Sequence, residues 1–304
     1  MKKLLALVLA LVMSMSLVTI SNAAFKDADK ISNKEAVDVM AAVGVLAGYD
    51  NGEFGATDTL TRAQAAKIIA YLDLGGKTAD AIKGTGTVFS DVKATDWFAG
   101  FVEYCAGAGY VAGVGDKKFA PNEKVTGVQF AKMLLCALGY SAEIEGYTGA
   151  DYTIAIARDA NKNELFNALS IVTSANLTRE QAAQMALNAL KATVVEYRGG
   201  TSVSTSDGTK VTVGATRYES AANGKEYLAG DTSADLQLAE KLYGSDLKLD
   251  KSDATAFGDT ANTWSYKGKE IGTYAATADA TLSNEVTYGD LYTAIGSTAV
   301  KQLR

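Results

Sequence analysis

LTRAQAAKII, residues 60–69, decides the fold because it comes back. LTREQAAQMA at 177–186 is a close copy, and VTGVQFAKML at 125–134 keeps the same frame. Threonine and glutamine stand three apart each time: Thr61 with Gln64, Thr126 with Gln129, Thr178 with Gln181. That is the spacing of a capping box. The threonine oxygen takes the third amide of a helix, and the glutamine reaches back to the amide of the cap. Each such cap contributes about 1 kcal/mol, and each predicts a helix start. Apolar residues then recur with helical period on one face: Ala65, Ile68, Ile69 and Leu72, then Phe130, Met133, Leu134 and Ala137, then Ala182, Met185, Ala186 and Ala189.

Upstream of each box the repetition continues. FKDADKISNKEAVDVMAAVGVLAGYDNGEF begins at Phe25 and FSDVKATDWFAGFVEYCAGAGYVAGVGDKKF at Phe89. Both open with Phe-x-Asp, run through a helical stretch and a glycine turn, and end on a phenylalanine. Gly48 matches Gly113, Phe54 matches Phe119 and Thr61 matches Thr126 at one offset. In the first copy Val37, Met40, Ala41 and Gly44 share a helical face, and Gly48 and Gly52 are expected to stop the helix and turn the chain. The third copy is weaker: Asp151-Tyr152 stands where the second has Asp96-Trp97, and SIVTSAN replaces the glycine turn. Each copy reads as a helix–turn–helix. One hairpin cannot bury its apolar face alone, so the three are expected to share a core.

Arginine follows the threonine only in the first and third copies, as Arg62 and Arg179; Gly127 takes that place in the second. A cation at the first helical position faces the positive end of the helix dipole, at a cost of about 0.3–1 kcal/mol. A local rule broken at two equivalent places suggests a site. Two readings stand: an anion pocket made of arginine and free helix amides, or a salt bridge to a carboxylate of the next repeat. The dipole argument assigns neither arginine much of a part in stability. Gly127 avoids the cost, gives up the side chain, and puts one of three equivalent sites in doubt.

The chain of 304 residues is long enough for about two domains. Its net charge of −6 argues against a nucleic-acid partner. With no histidine, histidine-based catalysis, metal ligation and pH switching are excluded. MKKLLALVLALVMSMSLVTISNAAF has Lys2 and Lys3, an apolar run and the small-x-small pattern Ser21-Asn22-Ala23. It reads as a secretory signal peptide over 1–23; an N-terminal membrane anchor is the competing reading. Cleavage removes two positive charges and leaves an exported chain with no membrane contact. Cys105 and Cys136 can either pair or serve as two small core residues; Cys105 falls where the first repeat has Met40. Asp50-Asn51-Gly52 begins like a calcium loop, but Thr61 stands where the bidentate glutamate is required. Gly107, Gly109 and Gly113 follow a helix where a dinucleotide fingerprint needs a strand. No cofactor or metal is expected.

From 199 onward the composition shifts to threonine, serine, glycine, alanine and aspartate. VSTSDGTKVTVGATRY reads as a hairpin turning at Asp207-Gly208. DLQLAEKLYG reads as a short helix capped by Ser233 and closed by Gly244, and WSYKGKEIGTY as strands and a turn.

Phe-x-Asp at Phe25 and Phe89, GYDNGEF at 48–54 and Leu-Thr-Arg-Ala-Gln at 60–64 resemble the S-layer homology family, whose usual motif has glutamate where Gln64 stands. The resemblance covers about 25–195. More weakly, the tail is similar to the region beyond these modules in S-layer-type proteins of anaerobic Gram-positive bacteria. The resemblance implies a mainly α fold: three tandem helix–turn–helix modules in a pseudo-threefold spindle, followed by a smaller α+β or β-rich region. It divides the chain into modules at 24–76, 87–141 and 147–197 and a tail at 199–304 of unassigned role. It also implies a job, non-covalent anchoring of an exported protein to the cell wall. Grooves between modules would bind secondary cell-wall polysaccharide on peptidoglycan, often pyruvylated. Arg62 and Arg179 would contact the anionic ketal. Trp97 and its counterpart Tyr152 would pack on sugar rings, with core packing the alternative for Trp97. Local cations must carry this recognition, because an acidic protein is repelled by an anionic polymer. The protein is then no enzyme but a surface or S-layer subunit, one that can also contact itself in a lattice. The rival is a wall-anchored hydrolase using tail carboxylates such as Asp246, Asp250 and Asp259.

Overall fold

The computed structural model describes residues 25–149, 151–204, 210–219, 235–251 and 261–275. The signal segment, the Asp207-Gly208 turn, Ser233 and Asp259 lie outside these. Three pairs of helices come first: α1 (Lys34–Ala42) with α2 (Arg62–Leu74), α4 (Ala99–Gly107) with α5 (Gly127–Ala137), and α6 (Tyr152–Lys162) with α7 (Arg179–Lys191). A single turn, α3 (Gly76–Ala79), follows α2. Then come a two-stranded antiparallel ribbon, β1 (Val195–Ser204) and β2 (Lys210–Glu219), the short helix α8 (Leu238–Tyr243), and an antiparallel sheet in the order β3 (Leu247–Asp250), β4 (Ala261–Tyr266), β5 (Lys269–Ala275).

All three capping boxes form. The amides of Gln64, Gln129 and Gln181 donate to Thr61, Thr126 and Thr178, and the three glutamine side chains accept from the threonine amides. The twelve residues assigned to the inner faces of α2, α5 and α7 are buried. Burial of each larger one contributes roughly 1.5–3 kcal/mol, and together they make one core. The first helix of each pair ends earlier than the glycine turn suggests. α1 stops at Ala42, and Gly44, exposed and at φ +80°, turns the chain out of it. Gly48 does a different job: a Cβ there would sit 2.8 Å from the Phe25 ring, which packs on Phe54 at 5.3 Å.

Phe-x-Asp is a tie. Asp27 accepts the amides of Phe54 (2.7 Å) and Gly55 (2.9 Å), and Asp91 accepts those of Phe119 and Ala120 (both 2.8 Å). Each aspartate thus fastens the start of its unit to the turn before its second helix. Burial pushes both carboxyls up, but the amide hydrogen bonds outweigh it and hold them below the usual aspartate range.

The three units join head to tail. Leu60 N donates to Leu177 O (2.8 Å), Leu177 N to Val125 O (2.9 Å), and Val125 N to Leu60 O (3.1 Å). Every donor finds its acceptor in another unit, and the third bond returns to the first.

The tail joins the same core instead of standing apart. β1 begins at Val195, whose amide donates to Leu138 O at 2.8 Å, so the ribbon starts inside the span assigned to the third module. Trp264 of β4 is fully buried, and its indole N–H donates to Glu35 at 2.7 Å. Tyr274 of β5 donates to Asp38 at 2.7 Å, which fixes the sheet to α1. α8 is closed by Gly244 at φ +52°; Gln237 stands at its start, where Ser233 was expected, and the Gln237 amide donates to Glu240 at 2.9 Å. Cys105 and Cys136 are free and buried; burial raises their thiols to about 12 and about 11, so both are core residues.

Candidate functional site

The arginines make a join between units that neither sequence reading foresaw. Arg62 Nε donates to Phe119 O at 2.9 Å and Nη2 to Ala112 O at 2.7 Å, both in the second unit. Arg179 repeats this on the first unit, with Nε to Phe54 O at 2.9 Å and Nη2 to Ala47 O at 2.7 Å. Each guanidinium also lies over an aromatic ring: Arg62 over Phe119 at 4.5 Å, Arg179 over Tyr49 at 4.6 Å and Phe54 at 4.9 Å. Neither has a carboxylate salt-bridge partner among the described residues. Each arginine therefore staples its helix to the turn of another unit through carbonyls and a π face. These bonds offset the dipole cost of a cation at the first helical position.

The free helix amides are not there. In α7 the first two amides donate to Asp58 O and Ala56 O, and the third to Thr178. The amides of α2 go to Glu123 O, Pro121 O and Thr61, and those of α5 to Ala175 O, Thr173 O and Thr126. The join between units consumes the donors that an anion would use, so any anion must be held by side chains.

Side chains suited to that meet in one cleft of about 330 Å³, lined by residues of all three units. The first supplies the turn from Val45 to Tyr49 with Gln64 and Lys67 of α2, the second Trp97, and the third Arg179. Arg179 is only 4 % exposed, so just its edge reaches the cleft; its Nη1 has no hydrogen-bond partner among the described residues. Lys67 is half-buried and likewise without a salt bridge there. Burial pushes its amine below the usual lysine range, Asp80 acts to raise it, and the Arg179 charge lowers it further. Trp97 is 60 % exposed, with its edge toward Phe98 at 5.3 Å. Core packing is thereby ruled out for it. Two cations with no carboxylate salt bridge among the described residues line a cleft with an open aromatic surface, which is chemistry for an anionic group attached to a ring with an apolar face.

The equivalent positions differ among the units. The second keeps Lys132 in the place of Lys67, Arg62 in the place of Arg179, and Val114 where Tyr49 stands. Tyr152, the partner of Trp97 in the sequence comparison, is half-buried at the start of α6 and packs against the core. In the third, Gln184 replaces the lysine, Gly127 the arginine, and Ser32 stands two residues before α1 as Trp97 stands before α4. A Cβ on Gly127 would lie 3.1 Å from both Cα and O of Thr173, so the units close up where a side chain would stand. Glu180 adds a carboxylate at that junction, accepting the amides of Ser32 (2.9 Å) and Asn33 (3.3 Å) and so capping α1 from another unit. Composition alone could have flagged Lys67: lysine recurs six residues after the threonine in the first two copies only. Tyr49 carried no repeat signal.

Residues 24–66 and 88–131 match the S-layer homology domain. The chain is 42 % identical over 110 residues to the surface layer protein of Brevibacillus choshinensis, covering 35 % of this chain and 10 % of that one. It is 34 % identical over 206 residues to the middle cell wall protein of Brevibacillus brevis, 64 % of this chain and 19 % of that one. It is 33 % identical over 100 residues to the cellulosome-anchoring protein of Acetivibrio thermocellus, 33 % of this chain and 22 % of that one. The chain thus spans a tenth to about a fifth of the length of these relatives.

Proposed function

We propose that this secreted, cell-surface protein, which carries S-layer homology domains, anchors itself to the cell wall by gripping an acidic secondary wall polysaccharide in the cleft of Lys67, Trp97 and Arg179. One observation carries the reading: in an acidic chain, two cations with no carboxylate salt bridge among the described residues converge beside an exposed tryptophan. An anionic substituent such as a pyruvate ketal relieves the repulsion between Lys67 and Arg179, and the ring that bears it packs on Trp97. The arginine staple holds the cleft's walls, so Arg179 shapes the site as well as lining it. By equivalence of position in the repeat, Lys132, Arg62 and Tyr152 are read as a second site of the same kind. The junction at Gly127 has lost the lysine, the arginine and the tryptophan, and takes no anion. The three helix pairs are read as modules of a pseudo-threefold spindle, with the tail as a support packed against them. The chain acts as an anchor and not as an enzyme, and the same surface protein can assemble with copies of itself.

Binding to purified wall sacculi tests this. The chain is expected to sediment with intact sacculi and to remain in solution once the secondary polysaccharide is stripped by acid. Lys67→Gln and Trp97→Ala are expected to weaken binding at least tenfold with little change in melting temperature. Equal binding to intact and stripped sacculi would overturn the reading.

A further inference from the structure

The first helices of the three units end alike. Val45 N returns to Met40 O (3.0 Å), Tyr110 N to Cys105 O and Leu165 N to Ala160 O (both 2.9 Å). This closure needs a left-handed residue just before the returning amide. Gly44 (φ +80°) and Gly109 (φ +76°) supply it in the first two units, and Glu164 (φ +54°) in the third. Glycine takes that conformation freely, whereas glutamate is strained in it. Of the three equivalent positions, only Glu164 carries a polar side chain.

Glu164 lines a cavity of about 260 Å³ between the ends of α6, α7 and β2, at the opposite end of α7 from Arg179 and with no lining residue in common with the charged cleft. The lining charges cancel: Glu164 and Glu219 against Lys162 and Lys191. Lys162 pairs with Glu219 at 3.3 Å, and Lys191 faces Glu35 at 3.8 Å. The carboxylate of Glu164, Oδ1 of Asn163 and Nδ2 of Asn167 have no hydrogen-bond partner among the described residues. The cavity therefore offers open acceptors and an open donor side by side with no net charge.

We propose that this cavity is a second saccharide subsite, taking a neutral, hydroxyl-rich sugar ring. A hydroxyl both donates and accepts, so sugar hydroxyls can satisfy Glu164, Asn163 and Asn167 together. An anion would meet the two carboxylates and a cation the two amines, so a neutral ligand is selected. The subsite does not depend on what fills the charged cleft.

Calorimetric titration of the full chain with chitotriose, cellotriose and maltotriose tests it. At least one of these neutral trisaccharides is expected to bind saturably, and Lys67→Gln is expected to bind it as the wild type does. Glu164→Gly relieves the backbone, so this variant is expected to melt no lower than the wild type while losing affinity at least tenfold. Three outcomes each overturn the proposal: none of the three sugars binds, Glu164→Gly binds unchanged, or Lys67→Gln abolishes binding and so puts the sugar in the charged cleft.

Discussion

Arg179→Ala removes a side chain that the sequence assigns to ligand and the structure assigns to the protein as well. Its guanidinium donates to Phe54 O and Ala47 O and lies between the rings of Tyr49 and Phe54. Hydrogen bonds to a charged group contribute about 1.5–3 kcal/mol each. The ring contacts add about 0.5–2 kcal/mol, and relief of the helix dipole returns about 0.3–1 kcal/mol. Because these contributions are not additive, a net loss of about 3 kcal/mol is expected. For a chain of this size that is a fall in melting temperature of about 5 °C. Arg62, half-buried and over one ring instead of two, makes the same pair of carbonyl bonds with better access to water; Arg62→Ala is expected to lose about half as much. Scanning calorimetry without wall material reads both. Should Arg179→Ala melt within about 2 °C of the wild type, or Arg62→Ala lose more than Arg179→Ala, the staple is not what joins the units.

Two further outcomes rest on the same geometry. Asp27 and Asp91 are held below the ordinary aspartate value in the folded state, so their stabilisation is full above about pH 4 and is lost as pH falls through the folded values. Melting temperature is therefore expected to drop steeply below about pH 4, and Asp27→Asn with Asp91→Asn to melt lower at pH 7 with a shallower acid limb. Gly127→Arg is expected to cost about 1–3 kcal/mol by crowding Thr173, with no added stoichiometry in titration with a pyruvylated wall fragment, since Gln184 and Ser32 stand where Lys67 and Trp97 would be needed.

The helices were legible because capping and periodicity are local: Thr61 and Gln64 sit in one turn, and Ile68 and Ile69 come in the next. What the arginines bind was not legible. Arg62 reaches a carbonyl 57 residues away and Arg179 one 125 residues away, and a backbone acceptor leaves no mark on residue type. The fate of the helix amides was hidden for the same reason, since carbonyls of the adjoining unit take them. Dipole and charge pointed to a special position at residues 62 and 179 but could not tell a join from a ligand. Trp97 was undecided in the sequence because nothing in DWF says which aromatic faces inward; packing buries most of Phe98 and leaves Trp97 out. The burial of Trp264 against Glu35 had no local signal at all.

The circuit through Leu60, Val125 and Leu177 also fixes how many units it can hold. In an open stack, a repeat can be gained or lost at either end and the remainder keeps its neighbours. Here every unit's donor and acceptor are already spoken for, and there is no end at which to add. A fourth copy inserted by duplication would have to break a bond in the circuit and enter it, changing the angle at every junction. A deletion would leave one amide and one carbonyl buried without partners, at about 1–3 kcal/mol each. Change in this part of the chain is thus confined to substitution within units, the pattern seen where Gly127 replaces an arginine and Glu164 a glycine. Growth by duplication has room only outside the circuit.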